Sequence, residues 1–475
     1  MDAQVILLMI ILVPIVGSFV LPILGKVSAK LRNISALTFI VIPIVLSAMA
    51  LLPLLNEGAP YFFEVKGLGA FSFGFMADRL AVFMALASLV LAAVIVIYSF
   101  DYMSHFENQN EYYMMVVLFI GAMMGIVFST NLVFIYLFWE ISAICCWRLI
   151  GFFRKKEYIV RADKAFLITV FGAVVMLLGF VLVYHQTGTF HLTQMKGTQL
   201  SNTIVILILF GILSKSATLP LHTWLPDAGV APSPVTSLLH AAILVKIGVY
   251  VFARLFILNF KIDEIWHTAI PVIAGISAIV AAGAAMMEFD IKRIIAYSTI
   301  SQIGFILLGL SAGNQTAAMG GILYILMHGL AKGGLFLCAG IIEHNTGTKD
   351  VRQMGGLITK MPVTAVSFLI CAFSVMGIPP LGGFFSKYMV VAGSAYLDNP
   401  AISFLFIIGA VMTVIYLLRL FSLVFLGTSK LTDVKEGGKP MLASVVILSV
   451  LSVLGGLLIS FPASFIEPVV GGLIK

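Results

Sequence analysis

The chain has 475 residues, 61% of them hydrophobic and only 10% charged, with a net charge of +7. A soluble domain carries about 25% charged residues, so the composition excludes a sizeable soluble domain and implies a polytopic, all-α membrane protein. An outer-membrane barrel would alternate in short segments rather than hold long apolar runs. The basic residues sit mainly in one set of loops, which argues against nucleic-acid binding.

Spanning helices need about 20 apolar residues. Fourteen such runs are read, at 4–24, 33–55, 80–99, 113–129, 131–153, 165–185, 203–225, 234–258, 268–287, 294–312, 316–342, 361–392, 402–426 and 441–463. The start, Met1-Asp2-Ala3-Gln4, lacks a basic region, so span one is expected to be a retained helix, not a cleaved signal. Loops are short, the longest running from Asn56 to Asp78.

Spans seven and twelve contain helix breakers. Pro220 and then Leu225-Pro226-Asp227 interrupt the first, and Gly377-Ile378-Pro379-Pro380-Leu381-Gly382-Gly383 the second. Proline removes an amide donor and clashes with the preceding turn, so both spans should be broken helices whose freed backbone groups face protein or water. Two interrupted helices, each late in its half of a long bundle, point to an inverted-repeat transporter.

Loops after odd-numbered spans carry sixteen basic residues, among them Lys26, Lys30, Arg32, Arg154, Lys155, Lys156, Lys292, Arg293, Lys349 and Lys430. Loops after even-numbered spans carry five, Lys66, Arg79, Lys196, Arg254 and Lys261. The positive-inside rule then places both termini outside. The four cysteines, Cys145, Cys146, Cys338 and Cys371, all lie in apolar runs and read as small buried residues. No Walker, Rossmann or zinc-helix motif occurs. Neither a metal nor a cofactor is therefore expected in this chain.

The chemistry is carried by ionisable residues inside the spans. Such residues cost several kcal/mol in hydrocarbon and usually mark an ion path. Glu140, in Phe138-Trp139-Glu140-Ile141, is one acid deep in an apolar run. Desolvation favours its neutral form and a nearby cation its charged form, so a movable cation would load and unload its proton. A fixed pair with Arg148 or Lys215 that merely holds helices together is the other reading. Lys215 precedes the break at Pro220 by five residues.

His240 and Lys246 differ by six positions, about 240° around a helix, and do not share a face. His240 reads equally as a structural histidine or a relay member. His328 and Lys332 are four apart and face one way, with Tyr324 in the same stripe. Lys387 follows the second break, as the counterpart of Lys215 and the candidate terminal donor. Asp290 suits a helix N-terminus, and the Lys292-Arg293 pair beside it reads as interfacial anchoring.

These residues stand in recognisable segments: the Phe-Trp-Glu run at Glu140, the K-x-x-x-x-P-L-H-x-W-L-P-D-A block from Lys215 with Ala231-Pro232-Ser233-Pro234-Val235 after it, the D-I-K-R-x-x-A-Y-S-x-I-S-Q-x-G segment from Asp290, and G-x-P-P-x-x-G-F-x-x-K ending at Lys387. With them the chain resembles the antiporter-like subunits of respiratory complex I, group 4 membrane-bound hydrogenases and Mrp cation/proton antiporters. The resemblance implies fourteen helices with two inverted five-helix repeats. The expected layout is helices one to three in 1–112, the first repeat in 113–258, the second in 268–426 and helix fourteen in 441–475.

The resemblance also implies a proton relay that maps onto Glu140, Lys215, Lys246, His328 or Lys332, and Lys387, with Glu140 and Lys215 paired near the entry half-channel and Lys387 near the exit; His240 joins the candidate relay residues from its place in the sequence alone. The chain would be an ion-pumping subunit without a redox site of its own, moving H⁺, Na⁺ or both. Its partners would be other membrane subunits, either of a redox complex or of an Mrp-type antiporter, in a prokaryotic inner membrane. The absence of a long lateral helix after the last span is expected to set it apart from the distal complex I subunit. A stand-alone solute carrier would need a substrate-sized polar pocket, and a purely structural anchor would leave so many buried charges unexplained.

Overall fold

The computed structural model describes residues 3–56, 58–65, 73–429, 431 and 434–471. Lys66, Lys430 and the C-terminal Lys475 lie outside them. Among the described residues twelve helices are long and apolar enough to cross a membrane. Two shorter apolar helices, Asn202–Lys215 and Pro362–Met376, stand where spans seven and twelve were expected. Each predicted span thus has its helix.

Backbone chemistry sets the ends. The side chain of Asn131 caps Leu132–Ile150 by accepting from the amide of Val133. Asp290 caps Ile291–Ser311 by accepting from the amides of Lys292 and Arg293, as its position implied.

Spans seven and twelve are broken, as the prolines required. Asn202–Lys215 has 14 residues, about 21 Å of helix, too short to cross a hydrocarbon core of about 30 Å. It stops before Ala217, which holds a positive φ of 51°. The chain then turns through Pro220 to the single-turn helix Trp224–Asp227. The second break follows Gly377, whose φ of 86° ends Pro362–Met376, and helix resumes at Gly382–Ser394. A Cβ on Gly377 would be strained in that left-handed conformation.

An internal repeat accompanies the breaks. Thr187 donates to the carbonyls of Val183 and Thr189, and Thr189 to Gln194. Thr346 donates to the carbonyls of Ile342 and Thr348, and Thr348 to Gln353, in each case 159 positions later (187 to 346, 189 to 348, 194 to 353). The isolated bridges Asn131–His191 and Asp290–Asp350 obey the same offset, and so do Pro220 and Pro379. Spans five to seven therefore repeat as spans ten to twelve. Five crossings, an odd number, separate equivalent helices, so the repeats are inverted.

Two local expectations need correction, and the long loop holds an element not read from the sequence. Span eight is not one helix: Ser233–Ser237 runs into a π-helical turn at Leu238–Ala242, Ile243 breaks the pattern with φ −149°, and Leu244–Phe252 ends in a second π turn at Ala253–Ile257. The wide turn carries an extra residue, which invalidates the 240° reckoning between His240 and Lys246. Span fourteen ends at Leu457, and a separate helix covers Ser460–Val470. Pro462 falls in the first turn of that helix, where a missing donor is no loss. The long loop contains an antiparallel hairpin, Tyr61–Val65 with Phe73–Ala77.

The helices group into two compact units. The first comprises Met1–Ala93, Phe106–Ser216 and Ile247–Glu264, and the second Val94–His105, Ala217–Lys246 and Ile265–Lys475. Within the first, the buried Arg254 guanidinium bonds both carboxylate oxygens of Asp78, one at 2.8 Å, and the hydroxyl of Tyr250. Burial alone would push the Asp78 carboxyl up, but the Arg254 charge brings it below the ordinary carboxylate range.

Candidate proton relay

In the first unit, span five presents Trp139 buried and Glu140 half-buried. Lys215, 1% exposed, ends its half-helix beside them. Its Nζ donates to Ser142 Oγ at 2.9 Å and to the Trp139 carbonyl at 3.3 Å, and lies 5.1 Å from the centroid of the Trp139 ring. The expected ion pair with Glu140 is not formed: among the described residues no salt bridge joins them, and one Glu140 oxygen has no hydrogen-bond partner. Lys215 is satisfied instead by the groups on either side of the acid. Arg148 is no competitor, because it and Arg154 both bind Glu111.

In the second unit, His240, Lys246, His328, Lys332 and Lys387 are all at most 5% exposed. No protein partner among the described residues reaches either ring nitrogen of His240 or His328, or the ammonium of Lys246. His240 lies against the ring of Phe336, with centroids 4.5 Å apart, and His328 against that of Tyr324 at 5.7 Å.

Lys332 begins a hydrogen-bonded chain. Its Nζ donates to Ser298 Oγ at 2.5 Å and to the Ile295 carbonyl at 3.2 Å. Ser298 meets the Tyr416 hydroxyl at 2.6 Å, Gln302 donates to that hydroxyl at 3.4 Å, and Tyr324 donates to Gln302 Oε1 at 2.7 Å. Lys387 closes the series. Its Nζ donates to the Val375 carbonyl at 2.7 Å and lies 5.7 Å from the Tyr324 ring centroid and 4.7 Å from that of Phe305.

Lys387 is not the positional counterpart of Lys215. Lys215 is the last residue before its break, while Lys387 follows the second one, and the 159-residue offset places Ser374 opposite Lys215. Ser298, Gln302 and Tyr416 were not singled out from the sequence. Ser298 and Gln302 are four apart in a quoted segment, spacing that puts both on one helix face. Tyr416 gives no sign beyond being a phenol in an apolar run.

The transmembrane family described as NADH:quinone oxidoreductase/Mrp antiporter matches residues 129–413. The chain belongs to this family. The family described as NADH-ubiquinone oxidoreductase (complex I), chain 5 N-terminus, matches residues 63–113. The chain is similar to Na(+)/H(+) antiporter subunit A1 of Staphylococcus haemolyticus, at 33% identity over 96% of this chain and 62% of that protein. It thus spans about three fifths of this relative's length. It is 34% identical to NAD(P)H-quinone oxidoreductase chain 5 of Picosynechococcus, over 88% of this chain and 68% of that one. A chain of the solved Mrp complex from Dietzia sp. DQ12-45-1b has the same fold, with a TM-score of 0.90 at 20% identity, over 100% of this chain and 98% of that one.

Proposed function

We propose that this multi-pass membrane protein translocates protons as one membrane subunit of a larger assembly, through Glu140, Lys215, Lys246, His240, His328, Lys332 and Lys387. The observation that carries this reading is the Lys332–Ser298–Tyr416–Gln302–Tyr324 chain, which runs from one buried lysine to the ring beside another. Hydroxyls and a neutral amine both donate and accept, so a proton exchanges between Lys332, Ser298 and Tyr416, while the Gln302 carboxamide, donating to Tyr416 and accepting from Tyr324, holds the two phenols in line.

Glu140 and Lys215 act as the switch. The lysine now rests on Trp139 and Ser142, the neighbours of the acid. A pair of opposite charges about 4 Å apart is worth about 4 kcal/mol at an effective dielectric near 20, before desolvation is subtracted. Forming and breaking that contact changes which of the two groups holds a proton.

The relatives' names point to two settings, an Mrp-type Na⁺/H⁺ antiporter and a quinone-reducing complex. In the second, the cofactor and redox chemistry would belong to partner chains, and in the first there would be no redox partner. The two inverted repeats, in 113–258 and 268–426, would frame the path. The proposed location is a prokaryotic inner membrane with both termini outside, which a reporter fused after Lys475 would check by its accessibility from the exterior. The deciding experiment is gentle purification of the tagged chain with mass spectrometry of what accompanies it. Small membrane subunits with a second antiporter-like chain would make it part of an Mrp-type antiporter, and iron–sulfur subunits part of a redox pump. Isolation as a lone monomer that transports unaided would overturn the subunit reading.

A further inference from the structure

Gln302 is fully buried in Ile291–Ser311, within the second unit, and gives the hydrogen-bonded chain a polarity. Its Oε1 accepts from the Tyr324 hydroxyl at 2.7 Å, while its Nε2 donates to the Tyr416 hydroxyl at 3.4 Å and to Thr413 Oγ at 3.1 Å. A carboxamide has one accepting end and one donating end, so turning it over reverses all three contacts. A phenol hydroxyl both donates and accepts. The two tyrosines therefore fit either orientation and do not choose between them.

Thr413 chooses. It is fully buried in Pro400–Phe425, and its Oγ donates to the Gly409 carbonyl at 2.7 Å. This is the bond to the carbonyl four residues back that helical threonines make. A hydroxyl has one proton, and here it is spent, so Thr413 offers Gln302 lone pairs alone. The group facing it must be the amino group, which sends the carboxamide oxygen to Tyr324. Reversed, Gln302 would set oxygen against oxygen and leave a buried bond unmade, which is costly.

The orientation reaches Tyr416. Its oxygen accepts from Gln302, so its one proton is left for Ser298 Oγ, 2.6 Å away. Lys332 Nζ lies on the far side of the same serine. With Gln302 reversed, Tyr416 would spend its proton on the carboxamide oxygen and have none for Ser298.

We infer that Thr413 is a positioning residue: through Gln302 it aims the Tyr416 proton at Ser298 and Lys332. The inference rests on the relay reading. Tyr416 gives its proton to Ser298 as the serine gives its own to the neutral Lys332 amine. A phenolate and an ammonium result, and the reverse step restores both. The Gln302 amino group faces the phenolate oxygen, and donors that bond the charged form favour it. Neither Gln302 nor Thr413 gains or loses a proton.

The test is proton flux through the assembled complex in proteoliposomes, with assembly checked by native gel. Thr413→Val keeps the branched shape and removes the hydroxyl. It should slow flux about fivefold, one hydrogen bond's worth. Thr413→Ser keeps the hydroxyl, loses the methyl and should restore most of the flux. A packing role gives the opposite order, with Val harmless and Ser impaired, and that order would overturn the inference. Added to Gln302→Leu, Thr413→Val should slow flux no further; a further fall would mean that Thr413 does not act through Gln302. Wild-type flux in Thr413→Val beside a slowed Tyr416→Phe would overturn the positioning role alone, and wild-type flux in both would overturn the chain as a proton path. If Thr413→Val does not assemble, Thr413→Ala takes its place: slower than Thr413→Ser supports the role, and equal flux refutes it.

Discussion

The two units handle buried charge differently. The first buries one lysine, Lys215, hydrogen-bonded to a hydroxyl and a carbonyl beside a half-buried acid. The second buries four lysines, Lys246, Lys292, Lys332 and Lys387, and two histidines, of which Lys246, His240 and His328 have no protein partner among the described residues. Like charges packed in one low-dielectric region cannot all be ionised together. On the proposed reading the second unit would hold fewer protons than it has sites, the condition for passing them along. In the first, Lys215 rests beside an acid with which it forms no salt bridge, the arrangement the proposed switch needs.

Removing the switch should have the largest effect. Glu140→Gln and Lys215→Ala are each expected to abolish proton flux in proteoliposomes while the complex still assembles. If only one is dead, the two residues do not act as a pair.

A structural ion pair should behave otherwise. Asp78→Ala strips Arg254 of its carboxylate and should destabilise the fold by about 3–5 kcal/mol, as breaking buried pairs does, seen as a lower melting temperature of the purified complex. Because the Asp78 carboxyl is held below the ordinary range, its contribution is full above the unfolded value, near 3.9, and is lost as pH falls through the lower folded value. The wild-type and variant melting temperatures should therefore converge in strong acid. A constant gap would mean that packing, not charge, is lost.

Breaking the wire is a smaller change. Tyr416→Phe removes the hydroxyl that joins Ser298 to Gln302 and leaves every lysine in place. Flux should fall by roughly tenfold, about the worth of one strong hydrogen bond, with no loss of assembly. Unaltered flux would show that protons bypass the phenol. Arg148→Ala should leave transport near wild type, because Arg148 serves Glu111 and not Glu140. A large transport defect with normal assembly would restore it as a competitor for the acid.

The architecture was legible because lipid permits few choices. Apolar length marked the spans, and proline marked both breaks. Glu140, Lys215, Lys246, Lys332 and Lys387 were conspicuous because charge is costly in hydrocarbon. The missed features are those that apolar runs do not announce. The π turn at Leu238–Ala242 has no breaker inside it, and Ser298 and Tyr416 are ordinary side chains until folding places them 2.6 Å apart. Lys292 looked interfacial because its neighbours in sequence are Asp290 and Arg293. Its partner Glu343 stands 51 positions on, and only the fold pairs them. The Thr-Gly-Thr loops after spans six and eleven were in plain view and would have given the repeat, with its 159-residue offset, before any coordinates.

The most direct test of the central claim is proton uptake by proteoliposomes of the assembled complex carrying Lys332→Ala, compared with wild type at equal assembly. If buried amines carry the proton through the second unit, uptake is lost while the complex remains intact. Undiminished uptake would contradict the account, since Lys332 stands at the head of the hydrogen-bonded chain through Ser298, Tyr416 and Gln302 to Tyr324, whose ring lies beside Lys387.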